Sequence, residues 1–193
     1  MPKINSLKFY SNAIKKHGIS AKGLNWLSRE NQELRFREIM HLLPETLSTY
    51  SIGDAGCGFG DFYHYLLKQN AVPKLYTGVD SLVEMVRLAS THTQGEILHL
   101  DICKEPLPVR DYYICSGALN ILTPFETHLF IQNCYKSCAK AFIFNTLYGD
   151  NISVTYNYMQ KLSIENIAKT LKVKKIIYRN NYIKNDITVM FLK

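Results

Sequence analysis

The chain has 193 residues, of which 47% are hydrophobic, and this predicts one folded unit with a full apolar core rather than a disordered protein. Its longest apolar runs, such as residues 141–144, are far shorter than the ~20 residues that cross a bilayer, so we expect no transmembrane segment. Residues 1–6 carry neither an apolar signal core nor a small-residue cleavage site, and we therefore expect a cytoplasmic protein.

The five cysteines form an odd set without a Cys-x-x-Cys pair, which is typical of reduced thiols rather than of a disulfide framework. Cys134 and Cys138 are four residues apart, a spacing that two metal ligands on a helix can also have. Ile131 and Tyr135 complete an i, i+3, i+4, i+7 pattern with them, so we expect all four side chains to pack in the core. The six histidines show no ligand spacing, and the sequence predicts no metal site.

The net charge of +7 is unevenly spread along the chain. Residues 1–44 carry +5, residues 45–160 carry −4 and residues 161–193 carry +6. One interpretation is that the two basic ends frame a site for an anionic partner such as RNA or a phosphorylated metabolite. The other is that these lysines lie on solvated surfaces, and it is favoured because the sequence shows no compact basic run and no RNA-binding signature.

The first part of the chain predicts two helices, at residues 4–16 and 28–43. Ser28 is a candidate N-cap for the second helix, which ends before Pro44. We interpret residues 1–44 as a helical cap on a single structural unit that spans residues 45–193. Trp26 lies between the two helices, where its ring could either cover a ligand or fasten the second helix to the core.

From residue 50 onward the pattern alternates between strand and helix. Capping signals precede three of the helices: Asp61, a capping box at 81–84, and a second box at 123–126 with a proline in its first turn. Alternation of this kind implies right-handed crossovers and a mainly parallel sheet. The predicted strands of this part are 51–55, 74–80, 96–100, 112–116 and 141–145.

The end of the chain breaks this alternation. After a helix at 163–171, two further strands at 173–178 and 187–192 are joined by a connection too short for a crossover helix, so they should pair antiparallel. The predicted fold is therefore α/β: a doubly wound, mainly parallel seven-stranded sheet with helices on both faces, a terminal antiparallel hairpin and an N-terminal helical cap.

A glycine turn follows the first strand. Gly56, Gly58 and Gly60 alternate with other residues, so a ligand can lie directly against the backbone there. The spacing is Gly-x-Gly-x-Gly, and Asp61 stands where the dinucleotide fingerprint has a further glycine. A nicotinamide cofactor is therefore less favoured than another ligand.

Acidic residues end the neighbouring strands, at the edge where ligands bind in open parallel sheets. Asp80 lies 24 residues after Gly56, at a position suited to accept hydrogen bonds from two ribose hydroxyls. Asp101 and Ile102 suit an adenine ring, and Asp54 suits a ligand ammonium group. Each residue alone could equally be a helix cap or a turn residue.

Together, the loop Asp-x-Gly-Cys-Gly-x-Gly, the following Gly-Val-Asp and the later Leu-Asp-Ile resemble the motifs of class I S-adenosylmethionine-dependent methyltransferases. The resemblance covers about residues 45–193, and the terminal hairpin matches that family's antiparallel seventh strand. It implies S-adenosylmethionine as the cofactor and methyl transfer as the reaction. The residues that it implies at the cofactor are Asp54, Gly56, Cys57, Gly58, Gly60, Asp80, Ser81, Leu82, Asp101, Ile102, Ser116, Gly117, Arg35 and Trp26.

The same resemblance implies their roles. The glycine loop would lie under the methionine portion, Asp80 at the ribose and Asp101 with Ile102 at the adenine, while the loop at Ser116 would lie near the sulfonium and the substrate. Arg35 could pair with the cofactor's carboxylate or form a structural salt bridge.

The acceptor is less well defined by the sequence. Methyl transfer does not require a general base, so no catalytic residue follows from a motif. Tyr10, Asn120, Tyr148 and Tyr156 are candidate substrate contacts. The Asn/Asp-Pro-Pro-Tyr/Phe motif of amino-nitrogen nucleic-acid methyltransferases and the Pro-Cys nucleophile of cytosine-carbon methylation are both absent. A small-molecule acceptor is therefore preferred to RNA or protein, and the alternatives are a nicotinamide-dependent oxidoreductase and a non-catalytic binding protein.

Overall fold

Seven strands form one sheet in the computed structural model, which describes residues 3–193; Met1 and Pro2 of the predicted cap lie outside the described residues. The strands are β1 (Ser51–Ala55), β2 (Leu75–Asp80), β3 (Glu96–His99), β4 (Arg110–Ser116), β5 (Cys138–Leu147), β6 (Lys175–Arg179) and β7 (Asp186–Leu192). All seven predicted strands are present, with bounds that differ by a few residues.

The strand order is β3-β2-β1-β4-β5-β7-β6. β1 to β5 pair in parallel, whereas β7 runs antiparallel to both of its neighbours, β5 and β6. The order reverses between β1 and β4, and this is the place where an open parallel sheet leaves a crevice outside the carboxyl ends of its strands. The predicted fold class, including the terminal antiparallel hairpin, is confirmed.

Across residues 3–193, six helices accompany the sheet: α1 (Ser6–His17), α2 (Arg29–Met40), α3 (Asp61–Lys68), α4 (Val83–His92), α5 (Pro124–Ser137) and α6 (Lys161–Thr170). Short 3-10 helices lie at Ala21–Leu24 and Ala118–Ile121. Ser28 is the N-cap of α2, as predicted. None of the helices within residues 3–193 is long and apolar enough to cross a membrane.

The predicted helix caps have mixed outcomes. The capping box at Thr123 and Glu126 is present with both of its hydrogen bonds. The capping box predicted at Ser81–Glu84 is wrong, because Leu82 occupies the cap position of α4 without a side-chain bond and the Asp80 carboxylate instead accepts the Leu82 N–H. Asp61 is not a cap either: Gly60 holds that position and Asp61 begins α3.

The apolar core lies on both faces of the sheet. Alternate residues of β5 separate between the faces, since Phe142 and Phe144 join the cluster under α5 and α6, whereas Ile143 joins the cluster under α2 and α3. Cys134 and Cys138 are fully buried in the first cluster, which confirms that they pack in the core.

A third, smaller cluster joins α1 to the glycine loop. Phe59 of the loop and Met85 of α4 are buried there, and Tyr10 and Ile14 of α1 pack against them. The N-terminal helix is thereby held over the carboxyl ends of the strands, above the crevice between β1 and β4.

Candidate active site

A cavity of about 520 Å³ opens at the carboxyl ends of the strands, beneath α1. The predicted site residues that line it are Gly56, Gly58, Asp80, Ser81, Leu82, Asp101, Ile102, Ser116, Gly117, Asn120, Tyr10, Trp26, Arg35 and Tyr156. Among the described residues, Asp54, Cys57, Gly60 and Tyr148 were also predicted and do not line it. The fold thus brings together most of the residues that the sequence singled out.

The glycine loop needs its glycines at the cavity wall. Gly56 has φ +78°, and a Cβ placed on it would lie 2.6 Å from the Cβ of Ala118, in the loop after β4. Its N–H donates to the carbonyl of Val79 at 2.8 Å, which closes the turn against β2. A side chain at this position would separate the two loops that form the wall of the cavity.

Asp80 ends β2 as a buried carboxylate that lines the cavity. It accepts hydrogen bonds from the N–H groups of Gly58 and Leu82, each at 3.0 Å. Burial raises the pKa of Asp80 to about 6, and the backbone N–H donors oppose that increase. The carboxylate is therefore fixed in place and can accept further hydrogen bonds from a ligand in the cavity.

Asp54 has a different position from the one predicted. Its side chain lies on the same face of β1 as Ile52, towards α2 and α3, and it accepts a hydrogen bond from the hydroxyl of Tyr76 at 2.5 Å. Burial raises the pKa of Asp54 to about 7. Asp54 and Tyr76 form a buried pair beneath the loop, and Cys57 is also buried behind the loop backbone.

Asp101 and Ile102 follow β3 and line the cavity next to each other. The Asp101 carboxylate accepts from the Cys103 N–H at 3.0 Å and forms an ion pair with Lys104 at 2.7 Å. The Ile102 side chain is 4% exposed and presents an apolar wall. A polar group beside an apolar face suits a flat heterocycle.

Hydrogen bonds connect the end of β4 to β7 across β5. The Ser116 hydroxyl donates to the Asn145 side-chain oxygen at 2.8 Å, and the Asn145 amide donates to the Thr188 hydroxyl at 2.5 Å. Asn145 and Thr188 are fully buried. Ser116 is thereby held with its hydroxyl directed to β5, and the residue lines the cavity.

Arg35 of α2 forms a buried ion pair with Asp186 of β7. Tyr182 donates to the second oxygen of Asp186 at 2.6 Å. The structure therefore has the salt bridge that was one of the two interpretations of Arg35. Arg35 also lines the cavity, and its Nε is buried without a hydrogen-bond partner within residues 3–193.

Trp26 lies between Arg35 and the loop after β4. The Arg35 guanidinium is 4.7 Å from the centroid of its ring. A Cβ on Gly117, which has φ +88°, would lie 2.9 Å from the same ring. Trp26 therefore both fastens α2 to this loop and forms part of the cavity wall.

The four substrate candidates separate into two groups. Tyr10, Asn120 and Tyr156 line the cavity. Tyr148 instead continues β5, where its N–H donates to the Asn185 carbonyl at 2.9 Å and it forms a β-bridge with Met159.

Sequence reasoning missed several residues at the cavity. Lys3 forms an ion pair with Glu126 at 2.6 Å, and both line the cavity together with Phe9 and Phe125. Phe9 is next to Tyr10 in the sequence, and Phe125 and Glu126 belong to the predicted capping box. These three residues could therefore have been found from predictions already made for adjacent positions. Nothing in the sequence connects Lys3 with residue 126. Within residues 3–193, no group of three or more His, Cys, Asp or Glu side chains could hold a metal ion.

No family model matches this chain. The Mycobacterium tuberculosis protein named "Putative methyltransferase Rv1506c" is 36% identical over 73 residues. The match spans 37% of this chain and 43% of that protein, which is less than half of either.

Solved structures resemble the whole fold. Magnesium protoporphyrin IX methyltransferase from Synechocystis PCC 6803 with bound SAM has a TM-score of 0.67 at 14% identity, covering 100% of this chain and 86% of that one. Human N-acetylserotonin methyltransferase in complex with SAM has a TM-score of 0.65 at 15% identity, and the match covers 82% of this chain and 51% of that one. An S-adenosylmethionine-dependent methyltransferase from Mesorhizobium loti has a TM-score of 0.63 at 15% identity, and the match covers 81% of this chain and 96% of that one. At these identities the likeness is one of fold.

Proposed function

We propose that this chain, which has the fold of the class I S-adenosylmethionine-dependent methyltransferases, binds S-adenosylmethionine in the 520 Å³ cavity and transfers its methyl group to a small-molecule acceptor. The observation that carries the proposal is Asp80, a buried carboxylate fixed at the end of β2 beside the glycine loop. A ribose presents two adjacent hydroxyl donors, which suit this acceptor.

In this proposal the cofactor lies along the carboxyl ends of β1 to β4. Asp80 accepts the ribose hydroxyls, Asp101 and Ile102 hold the adenine, and the backbone at Gly56 and Gly58 supports the methionine portion. Asp54 supports the loop from beneath and does not touch the cofactor, because its side chain bonds the Tyr76 hydroxyl on the α2 and α3 side of β1 and does not line the cavity.

Arg35 has two roles in the proposal. Its ion pair with Asp186 holds the guanidinium in place, and the part that lines the cavity attracts the cofactor's carboxylate. An arginine held by one carboxylate is pre-organised to meet a second anion.

When bound, S-adenosylmethionine supplies a methyl group on a sulfonium that is itself a good leaving group. The protein then has to hold an acceptor in line with that methyl and keep water out. The residues suited to these tasks are Tyr10 and Ile14 of α1, which cover the glycine loop, and the backbone of Ser116 and Gly117.

The size of the cavity suits a small-molecule ligand such as the cofactor, and the names of two similar structures support a small acceptor. Its volume of about 520 Å³ lies within the ~300–1,000 Å³ range of small-molecule sites. The named substrates of two similar structures, magnesium protoporphyrin IX and N-acetylserotonin, are also small molecules. RNA stays a proposed alternative because of the basic ends of the chain.

Calorimetry with S-adenosylmethionine and S-adenosylhomocysteine tests the proposal. We expect both ligands to bind, and Asp80→Ala to weaken binding at least about tenfold, since a hydrogen bond to a charged group contributes ~1.5–3 kcal/mol. Glu45→Ala, at an exposed carboxylate, is the matched control and should bind as the parent does. Unchanged affinity in Asp80→Ala would overturn the site assignment, and binding of NADH instead would favour an oxidoreductase.

A further inference from the structure

Asn120 presents a fixed hydrogen-bond donor to the cavity. Its side-chain oxygen accepts from the Leu147 N–H at 3.0 Å, and its carbonyl accepts from the Asn157 N–H at 2.7 Å. Because the Leu147 N–H can only donate, the amide oxygen must face it and the amide nitrogen must face away. That nitrogen has no partner within residues 3–193, and the residue is 9% exposed and lines the cavity.

The carboxylates of the cavity wall have other partners or, in the proposed function, hold the cofactor. Two backbone N–H groups hold Asp80, which accepts the ribose hydroxyls in that proposal. Lys104 is ion-paired with Asp101 at 2.7 Å. Lys3 is ion-paired with Glu126 at 2.6 Å. No histidine within the described part of the chain lines the cavity. Each group that could take a proton from an acceptor therefore has another partner.

The other ionisable wall groups stay protonated. Burial raises the pKa of the Tyr10 hydroxyl well above its usual value, and burial raises the pKa of the Cys103 thiol to about 11. Tyr10 is thus a donor at neutral pH, like the Asn120 amide.

An acceptor in such a site must arrive already deprotonated, because no group there takes a proton from it. Thiols, phenols and alkylammonium groups, with ordinary pKa values of ~8.5 to 10.4, are mostly protonated at neutral pH, whereas carboxylic acids with values near ~4 are ionised. A carboxylate also has two oxygens, so one can attack the methyl while the other accepts from Asn120. Phe9, Phe125 and Phe130 make part of the wall apolar.

We infer that the acceptor is an apolar organic carboxylate, oriented by Asn120 and Tyr10 and methylated without a general base; this rests on the proposed function. A carboxylate oxygen forms the new bond to the methyl carbon, the sulfur–methyl bond breaks, and its electron pair returns to sulfur. The products are a methyl ester and S-adenosylhomocysteine. No proton moves, and the negative and positive charges cancel.

The product identifies the class of acceptor. The protein is incubated with methyl-labelled S-adenosylmethionine and the small-molecule fraction of a cell extract, and the products are treated with mild alkali. Methyl esters release labelled methanol, whereas methylated amines, thiols and phenols keep the label. Alkali-volatile label supports the inference. Alkali-stable label alone, or no transfer at all, would contradict it, and the calorimetric binding of S-adenosylmethionine separately decides the proposed function.

Asn120→Asp tests the orienting residue with little change in shape. The variant keeps an oxygen for the Leu147 N–H but replaces the donor in the cavity with a negative charge. For a carboxylate acceptor we expect KM to rise at least about tenfold, with the affinity for S-adenosylmethionine maintained. Asn151→Asp, an exposed site outside this cavity, is the matched control. Unchanged KM in Asn120→Asp would overturn the assigned role.

The pH profile gives an independent readout. A carboxylate attacked without a base should give a kcat that is constant between about pH 7 and pH 9. A kcat that rises about tenfold per pH unit over this range would reveal a protonated acceptor and contradict the inference.

Discussion

Asp80 is a carboxylate whose burial works against its own charge. Its pKa of about 6 lies within reach of ordinary assay conditions. Ribose hydroxyls donate to the ionised form, so affinity for S-adenosylmethionine should be full at neutral pH and fall as the pH drops through about 6. Calorimetry between about pH 5 and pH 8 measures this. Asp80→Asn should bind weakly at every pH, and an equally steep pH dependence in that variant would contradict the assignment.

Asp54 should affect stability with a definite sign. Its folded-state pKa is raised from 3.8 to about 7, so the folded state holds the proton more tightly and this contribution is present at low pH and lost as pH rises through 7. In the Asp54→Asn variant the new amide carries no charge and can still accept from Tyr76. The variant should be more stable than the parent by an amount that grows with pH. The difference in unfolding free energy should increase by about 2–4 kcal/mol from pH 4 to pH 8.

Urea unfolding at both pH values measures this change. Asp111→Asn is a control with the opposite expected sign. Hydrogen bonding from Ser51 lowers the pKa of Asp111, so removing this carboxylate should reduce the unfolding free energy at neutral pH. If the difference in unfolding free energy between Asp54→Asn and the parent did not grow with pH, the ionised Asp54 would not destabilise the folded state, and the prediction would be wrong.

At the scale of residues, the sequence predicted the groups that end strands but not their partners. Asp80, Asp101 and Ser116 follow from where strands end, and parallel strands bring their ends to one edge. Tyr76 as the partner of Asp54 depends on the register of β1 against β2, in which Ile52 pairs with Tyr76. No local sequence pattern predicts that register, and none predicts which residues distant in sequence form ion pairs.

At the scale of elements, the loop between β1 and α3 depends on the absence of a side chain. Gly56→Ala should weaken S-adenosylmethionine binding at least about tenfold, because the new Cβ would meet Ala118 at 2.6 Å and displace the loop after β4. Gly18→Ala is a matched control: Gly18 also has positive φ, +64°, but nothing lies within 4 Å of its Cβ position.

The two variants distinguish the effect of backbone strain from the effect of the steric clash with Ala118. Both should lose about 1–3 kcal/mol of stability because alanine is strained at positive φ, and urea unfolding measures this loss. Only Gly56→Ala should lose cofactor affinity, measured by calorimetry. Equal affinities in the two would mean that the loop tolerates a side chain at the cavity wall.

The sequence predicted element types better than element connections. Alternating strands and helices predicted the parallel sheet, and the short connection before residue 187 predicted the hairpin. Which of its two strands lies beside β5 was not predicted, because a hairpin alone fits either way round, and the structure places β7 there. The α4 capping box was wrong because α4 begins at Val83, which leaves Leu82 rather than Ser81 at the cap position.

At the scale of the whole molecule, ligand binding should raise the unfolding temperature. At S-adenosylmethionine concentrations of 100 times Kd, linkage adds about 2.7 kcal/mol, which for a chain of this length corresponds to about 5–10 °C. Differential scanning fluorimetry measures the shift. NADH at the same concentration should give none, and neither should S-adenosylmethionine with Asp80→Ala. A shift with NADH alone would favour the oxidoreductase alternative.

The position of β7 has a consequence for how the protein is made. β7 is later in the sequence than every other strand, yet it fills the gap between β5 and β6. Until it leaves the ribosome, the Phe142–Phe144 edge of β5 has no neighbour on that side and β6 has no strand to pair with. An exposed apolar edge of this kind is prone to pair with other chains. Nascent chains halted before residue 186 should therefore need a chaperone to stay unaggregated.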